Sequence, residues 1–335
     1  MSLKLKRFSA VLKARNKEFI RDRASLSWNV VMPILLIAGL AFAFSKPDQN
    51  LFKVGYLGQP PAQQSFFQTQ HIDFIAMKEL DKAMVKVERH QIDMLVDIPG
   101  QRYWINDTNP KGYILGRMIG AAGQSGTYTK GTVTGKAVRY VDWLLPGILG
   151  MNMMFSALFG VGYVIVRYRK NGMLKRLKAT PLTAFEFLTA QVVSRLWLIL
   201  LISAIVYVGT DIFLHFTMHG SYLNLLLVFT LGSMCMISLG LLSASRIASE
   251  ELAGGLLNLL TWPMIFLSGV WFSLEGSPEI LQKIAQLLPL THVIDATRAI
   301  MIDGAGLAQV APHLIVLAVL TLVFLLLGSR FFRWE

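Results

Sequence analysis

The residues best placed to do chemistry are few, and each set falls short of a complete site. Gly131-Thr132-Val133-Thr134-Gly135-Lys136-Ala137 has the outline of a loop that cradles phosphates on backbone N–H groups, with a lysine for charge and a hydroxyl for Mg²⁺. Three residues separate its glycines where four are needed, and Ala137 stands where the metal-binding Ser or Thr belongs. No other stretch offers such a loop, so any ATP chemistry must come from a separate polypeptide. Asp211, His215 and His219 follow an i, i+4, i+8 spacing that would put metal ligands on one helix face. Nothing else of ligand type lies nearby in sequence, so they are read as ordinary interfacial residues. His292, Asp295 and Arg298 share one helical face after Pro289, and Arg195 is a lone charge in a long apolar run. No Ser-His-Asp set, paired carboxylate or His-Glu-x-x-His stretch appears, so the sequence gives no support to an enzyme.

The elements that carry these residues are set by composition. Of 335 residues, 54% are hydrophobic and only 16% charged, too apolar for a water-soluble chain of this size. A bilayer is the expected solvent. Lys and Arg outnumber Asp and Glu by 32 to 20, but they cluster beside hydrophobic runs, which is a topology signal rather than a nucleic-acid surface. The single cysteine, Cys235, lies inside such a run and excludes an internal disulfide. A span needs about 20 apolar residues to cross a hydrocarbon core roughly 30 Å thick. Six stretches qualify: Trp28 to Phe44, Trp143 to Val166, Thr189 to Gly209, Tyr222 to Ser245, Leu252 to Leu274 and Pro312 to Gly328.

The first stretch could be a signal peptide cleaved near Ala41-Phe42-Ala43, although 27 residues make a long leader and five more spans follow. Eight basic residues precede it (Lys4, Lys6, Arg7, Lys13, Arg15, Lys17, Arg21, Arg23). Six more, Arg167 to Lys178, lie between the second and third stretches, whereas Thr210 to Ser221 has none. Positive residues mark the cytoplasmic face, so both termini are expected inside.

The expected fold is thus an α-helical integral membrane protein of six spans, with residues 1–25 as a cytoplasmic helix and 26–45 as the first span. Residues 46–142 form a small extracytoplasmic α/β domain, and 143–335 hold spans two to six. In the first segment Phe8, Leu12, Arg15 and Phe19 recur at helical spacing, as in a helix lying among headgroups, or simply a solvated basic tail. In the domain, strands are expected at Lys53 to Leu57, Asp73 to Met77, Met94 to Ile98 and Tyr103 to Asn106. Helices are expected near Ala62 to Thr69, Glu79 to His90 and Lys111 to Ala122.

Two stretches carry a family likeness. LKRLKATPLTAFEFLTAQVVSRL at 174–196, after Lys170-Asn171-Gly172, resembles the cytoplasmic segment of ABC-2 type ABC transporter permeases, as does PLTHVIDATRAIMIDG at 289–304. A Leu145-Pro146-Gly147 entry to span two fits the same pattern. The resemblance implies an exporter's membrane subunit in the bacterial inner membrane, and the Met and Phe residues of span two favour a hydrophobic or amphipathic, drug-like or lipid-like substrate. The resemblance further implies pairing with a second copy or a related permease, and drive from a cytoplasmic ABC ATPase that binds the ATP and Mg²⁺. It gives the segment 171–178 the part of a coupling helix, with Asn171, Gly172, Leu174, Lys175, Arg176, Lys178, Pro181 and Glu186 at the contact. The bracket of Gly172 and Thr180-Pro181 around a short basic helix agrees with a rigid peg. Where relatives often carry acidic residues before the glycine, this sequence has Arg167, Arg169 and Lys170, which puts the usual polar contacts in doubt.

By the same resemblance, residues 278–304 form re-entrant or interfacial helices on the external side. Asp295 and Arg298, one turn apart, are expected to pair at an exit gate or to meet substrate. Arg195 is expected to snorkel to the headgroups or to pair with Glu186 or Glu250; paired with Glu186 it would tie the coupling helix to the spans. Met151, Met154, Phe155 and Phe159, with the glycines among them, suit either an apolar substrate path or plain helix packing. Two other classes stay open: an ATP-independent carrier or channel, and an anchored receptor or scaffold acting through its external domain. The external domain could also meet a periplasmic adaptor; membrane lipids are expected partners and nucleic acid is not.

Overall fold

Helical periodicity is written into the first element. In the computed structural model α1 (Leu3–Arg21) turns Phe8, Leu12, Arg15 and Phe19 toward protein, each half-buried, and leaves Lys6, Lys13, Lys17 and Arg21 exposed. Its apolar stripe is covered by protein. After Asp22 the chain enters α2 (Arg23–Ala43), with Pro33 inside it and Pro33 and Ile37 buried. The structure describes residues 3–43, 51–59, 65–121, 128–135, 139–216, 218–247, 249–274 and 277–331. Phe44, residues 62–64, Ala122, Lys136 and Ala137, which the sequence placed in a span, a helix or the phosphate-like loop, lie outside them.

The chain divides into two units, Phe42–Tyr140 and the remainder. The smaller is an α/β fold: β1 (Phe52–Leu57), β2 (Ile72–Ala76), α3 (Leu80–Glu88), β3 (Met94–Asp97), β4 (Arg102–Asn106), α4 (Pro110–Ile119) and β5 (Thr129–Val133). The sheet order is β2-β1-β3-β4-β5, antiparallel only between β3 and β4. Strand alternation sends Met94 and Val96 into one core with Val54, Ile105 and Leu115, while Leu95 joins Ala83, Val87 and Ile92 in the other. Asn109 caps α4 by accepting from Lys111 N (3.0 Å) and donates to the buried Asp93 (3.0 Å), which also accepts from Lys53 N (2.9 Å).

The glycines of the false phosphate loop have packing reasons. Gly131 lies in β5, where a Cβ would overlap Trp104, and one at Gly135 would overlap the Glu88 carbonyl.

In the larger unit, α5 (Tyr140–Ala157), a π-helical segment (Leu158–Tyr163) and α6 (Val164–Lys170) form one rod. Then come α7 (Met173–Lys178), α8 (Ala184–Leu214), α9 (Tyr222–Ala244), α10 (Glu250–Leu267), α11 (Glu279–Ala285), α12 (Pro289–Met301) and α13 (Leu307–Phe331). Among the described residues four helices are long and apolar enough to cross a membrane: Tyr140–Lys170, Phe185–Leu214, Tyr222–Ala244 and Leu307–Phe331. The apolar part of α2 is the shorter Asn29–Ala38. The helix expected to run to Leu274 stops at Leu267, because Gly269 takes a left-handed conformation (φ +69°) that ends the ladder. Backbones approach closely where the π segment meets α9: a Cβ on Gly162 would stand 3.0 Å from the Gly240 carbonyl oxygen.

Candidate functional site

The candidate coupling segment is built by a single left-handed residue. The rod ends at Lys170, Asn171 closes its last turn by donating to the Arg167 carbonyl (3.0 Å), and Gly172 at φ +66° reverses the chain into α7. Within α7, Leu174 is fully buried while Lys175, Arg176 and Lys178 are exposed. Thr180 donates to the Leu177 carbonyl (2.6 Å), and the exposed Pro181 accepts at its carbonyl from Arg7. Then α8 opens with a reciprocal cap: Thr183 Oγ1 accepts from Glu186 N (3.2 Å), and Glu186 Oε2 accepts from Thr183 N (2.9 Å). Glu186 also pairs with Arg7 (3.5 Å). Two turns on, Ser194 donates to Asn16 Oδ1 (2.5 Å), as does the Trp197 indole (3.2 Å). Helix α1 is therefore fastened to α8 and to the turn that precedes it.

The basic residues before Gly172 have internal partners. Arg167 meets Glu18 (3.4 Å), and Lys170 meets Glu250 (3.5 Å). Arg169 donates to the carbonyls of Ala244 (2.9 Å), Ser245 (3.1 Å) and Ile247, the acceptors left over at the C-terminus of α9. Tyr163 donates to Glu250 Oε2 (2.8 Å). That hydrogen bond, reinforced by Lys170 and Arg167, holds the partly exposed Glu250 carboxyl below its ordinary range. A depressed carboxylate stabilises the fold above its unfolded pKa and loses that contribution as pH falls through the lower folded value. Tyr163→Phe should therefore lower the thermal midpoint at neutral pH, with the gap to the parent closing under acid. A gap that stays constant to the lowest tolerated pH would contradict this.

A second feature is an open cavity of about 610 Å³ lined by α1, α2, the α5–π–α6 rod and Arg195 of α8. Met151, Phe155 and Phe159 line it, with the two phenyl rings 5.9 Å apart, whereas Met154 is fully buried. Arg195 reaches the same cavity. It is 8% exposed, its guanidinium lies over the Phe19 ring (5.0 Å), and Nε donates to the Ser156 carbonyl (2.7 Å). The expected tie to Glu186 is not the contact it makes: those two residues stand more than two helical turns apart on α8, and Arg7 of α1 takes the carboxylate.

Arg298 lies over the Trp143 ring (3.6 Å) and donates to the carbonyls of Trp143 (3.2 Å) and Gly269 (2.6 Å), joining α12 to α5 and to the end of α10. Asp295 is exposed. Asp211 and His215 serve the C-terminus of α8, where Asp211 accepts from Phe216 N (2.8 Å), and His219 turns to the Met301 carbonyl. Sequence reasoning missed the ring contact of His292 and His313 (Nδ1 to Nδ1 3.1 Å) and the Arg15–Glu18–Tyr168 cluster. Their partners are 21 and about 150 positions apart.

Four helices of spanning length among the described residues, a basic turn-helix and a cavity between helices mark a multi-pass membrane protein. The chain belongs to the ABC-2 family of transporter proteins, whose sequence profile matches residues 23–330, and it is a multi-pass protein of the bacterial inner membrane. It is 27% identical over 191 residues to the inner membrane transport permease YhhJ of Escherichia coli K12, covering 54% of this chain and 49% of that protein. It is 24% identical over 183 residues to the probable multidrug ABC transporter permease YbhR of the same strain (54% and 50%). Nodulation protein J of Rhizobium meliloti is 27% identical over 202 residues (58% and 74%). The chain thus spans about half the length of the two Escherichia coli relatives.

Proposed function

We propose that this chain is the membrane subunit of an ATP-driven exporter. A separate cytoplasmic ATPase binds the ATP and Mg²⁺, and a second permease subunit completes the assembly. All six apolar helices cross the bilayer, both termini are cytoplasmic and the α/β unit lies outside. The observation that carries the reading is α7, a short helix anchored by one buried leucine that offers Lys175, Arg176 and Lys178 outward between two long rods. Force applied there passes directly into α8 through the capping box and into α1 through Arg7. A cavity with Met32, Leu36, Met151, Phe155 and Phe159 beside a charged end favours a hydrophobic or amphipathic cargo, a reading that the likeness to YbhR, a probable multidrug permease, also supports.

Co-purification from the native membrane tests the proposal. A nucleotide-binding subunit should be recovered with the intact chain, with ATPase activity, and should be lost when residues 172–178 are scrambled. Folded chain that brings down no such subunit would return the weight to an ATP-independent carrier or an anchored receptor.

A further inference from the structure

The cavity at α1, α2, the α5–π rod and α8 is electrically unbalanced. Three guanidinium groups line it (Arg15, Arg167 and Arg195) against two carboxylates, Glu18 and Asp22. Glu18 is already shared between Arg15 (2.8 Å), Arg167 (3.4 Å) and the Tyr168 hydroxyl. Arg195 is the uncompensated charge. Among the described residues no carboxylate lies within ion-pair distance of it, Nε alone is hydrogen-bonded, and Arg15 repels it across the same space. More than nine-tenths of the residue is buried. A buried cation without a counter-charge is costly, and an ionisable residue kept inside a span is by default a pointer to a functional site.

The backbone makes room for that cation. Gly160 has no Cβ, and one placed there would overlap the Arg195 guanidinium. Gly160 belongs to the π segment, a widened turn of the kind found at functional positions. Beyond the charged end, Met32, Pro33 and Leu36 from α2 and Met151, Phe155 and Phe159 from the rod supply apolar lining, with Asn29 and Asn152 among them. The volume of about 610 Å³ falls in the range of pockets that enclose a small amphiphile.

We propose that this cavity binds an anionic amphiphile, its acidic headgroup on the Arg195 guanidinium and its tail along Met32, Leu36, Phe155 and Phe159. Phosphate or carboxylate suits the site because the two remaining guanidinium nitrogens offer a planar, forked set of donors. The inference deepens the exporter reading, and rests on it for the step from ligand to cargo.

The test uses the full chain in neutral detergent, titrated with dodecyl phosphate and, as its mirror, dodecyltrimethylammonium. The anion should bind at least about tenfold tighter than the cation. Arg195→Gln should abolish that preference and Arg195→Lys should keep most of it. Gly160→Ala, which pushes the guanidinium aside without removing charge, should weaken the anion alone. Equal affinity of the parent for the two amphiphiles overturns the proposal, and this needs no variant to fold. So does a folded Arg195→Gln variant that keeps the preference.

Repeating the titration in nanodiscs of phosphatidylcholine, with and without phosphatidylglycerol, separates two sources of the same chemistry. Competition by phosphatidylglycerol identifies a bilayer lipid as occupant, and its absence a free amphiphile; either result upholds the anion site. Recovery of the ATPase with no anion preference would sink this inference and leave the exporter reading intact. Anion preference without an ATPase would do the reverse.

Discussion

Gly147→Val should eliminate folded protein, whereas Gly254→Ala should leave it unchanged or slightly more stable. Both glycines lie inside apolar helices, and composition does not tell them apart. A Cβ on Gly147 would stand 2.6 Å from the Val270 carbonyl oxygen and 3.1 Å from its Cα, in a wall of main chain that cannot rotate aside. Overpacking against backbone costs about 3 kcal/mol or more, a large share of a marginal stability. A Cβ on Gly254 meets nothing within 4 Å, so alanine there gains up to about 1 kcal/mol of helix propensity. The check is the monodisperse fraction that survives heating in detergent. Equal survival of the two variants would mean that α5 and the strand of chain after α10 do not touch as described.

The second large effect is expected at Leu174. This side chain is fully buried and is the only one of α7 that is. Leu174→Asp puts a carboxylate into that apolar seat and should free α7 at a cost of about 3 kcal/mol, on the order of a hundredfold in its opening equilibrium. Trypsin reports this directly, because Lys175, Arg176 and Lys178 flank the seat and cleavage follows the open population. Cleavage there should accelerate about a hundredfold while Leu174→Met stays close to the parent. A cleavage rate that Leu174→Asp leaves unaltered would show that α7 is not seated through this residue, and the rigid peg would have to be given up.

Local chemistry made some of this legible and distance hid the rest. Short apolar runs at 53–57 and 94–98, bounded by turn residues, gave the central strands β1 and β3 to within a residue or two, and the Gly172 and Thr180-Pro181 bracket gave α7 almost to its ends. By contrast β5 reads Thr-Lys-Gly-Thr-Val, a polar edge strand whose pairing with β4 supplies its only reason to be extended. The stop at Leu267 was hidden because Leu252 to Leu274 is apolar throughout; what ends the helix is the conformation of Gly269, whose carbonyl Arg298 of α12 claims. The four proposed path residues were chosen by type, and three line the cavity. Met154 does not, since α5 turns it to the opposite side of the rod, into the packed interior. Arg195 was legible as an oddity but its setting was not, because Phe19 and Ser156 come from elements 176 and 39 positions away.

The fastening of α1 to α8 has a mechanical meaning. Arg7 grips the turn before α8 and its first-turn carboxylate, while Asn16 grips the helix itself further along. Two rivets on one rod leave no free joint between them. Nineteen residues at 1.5 Å each make a bar roughly 28 Å long, so a stroke delivered at α7 cannot move α8 without sweeping that bar along. On the proposed mechanism, part of the work of each cycle is then spent against whatever medium the exposed lysines of α1 face. Lateral pressure and viscosity in that layer become a drag on turnover, and the rate of transport responds to the stiffness of its surroundings as well as to the supply of fuel.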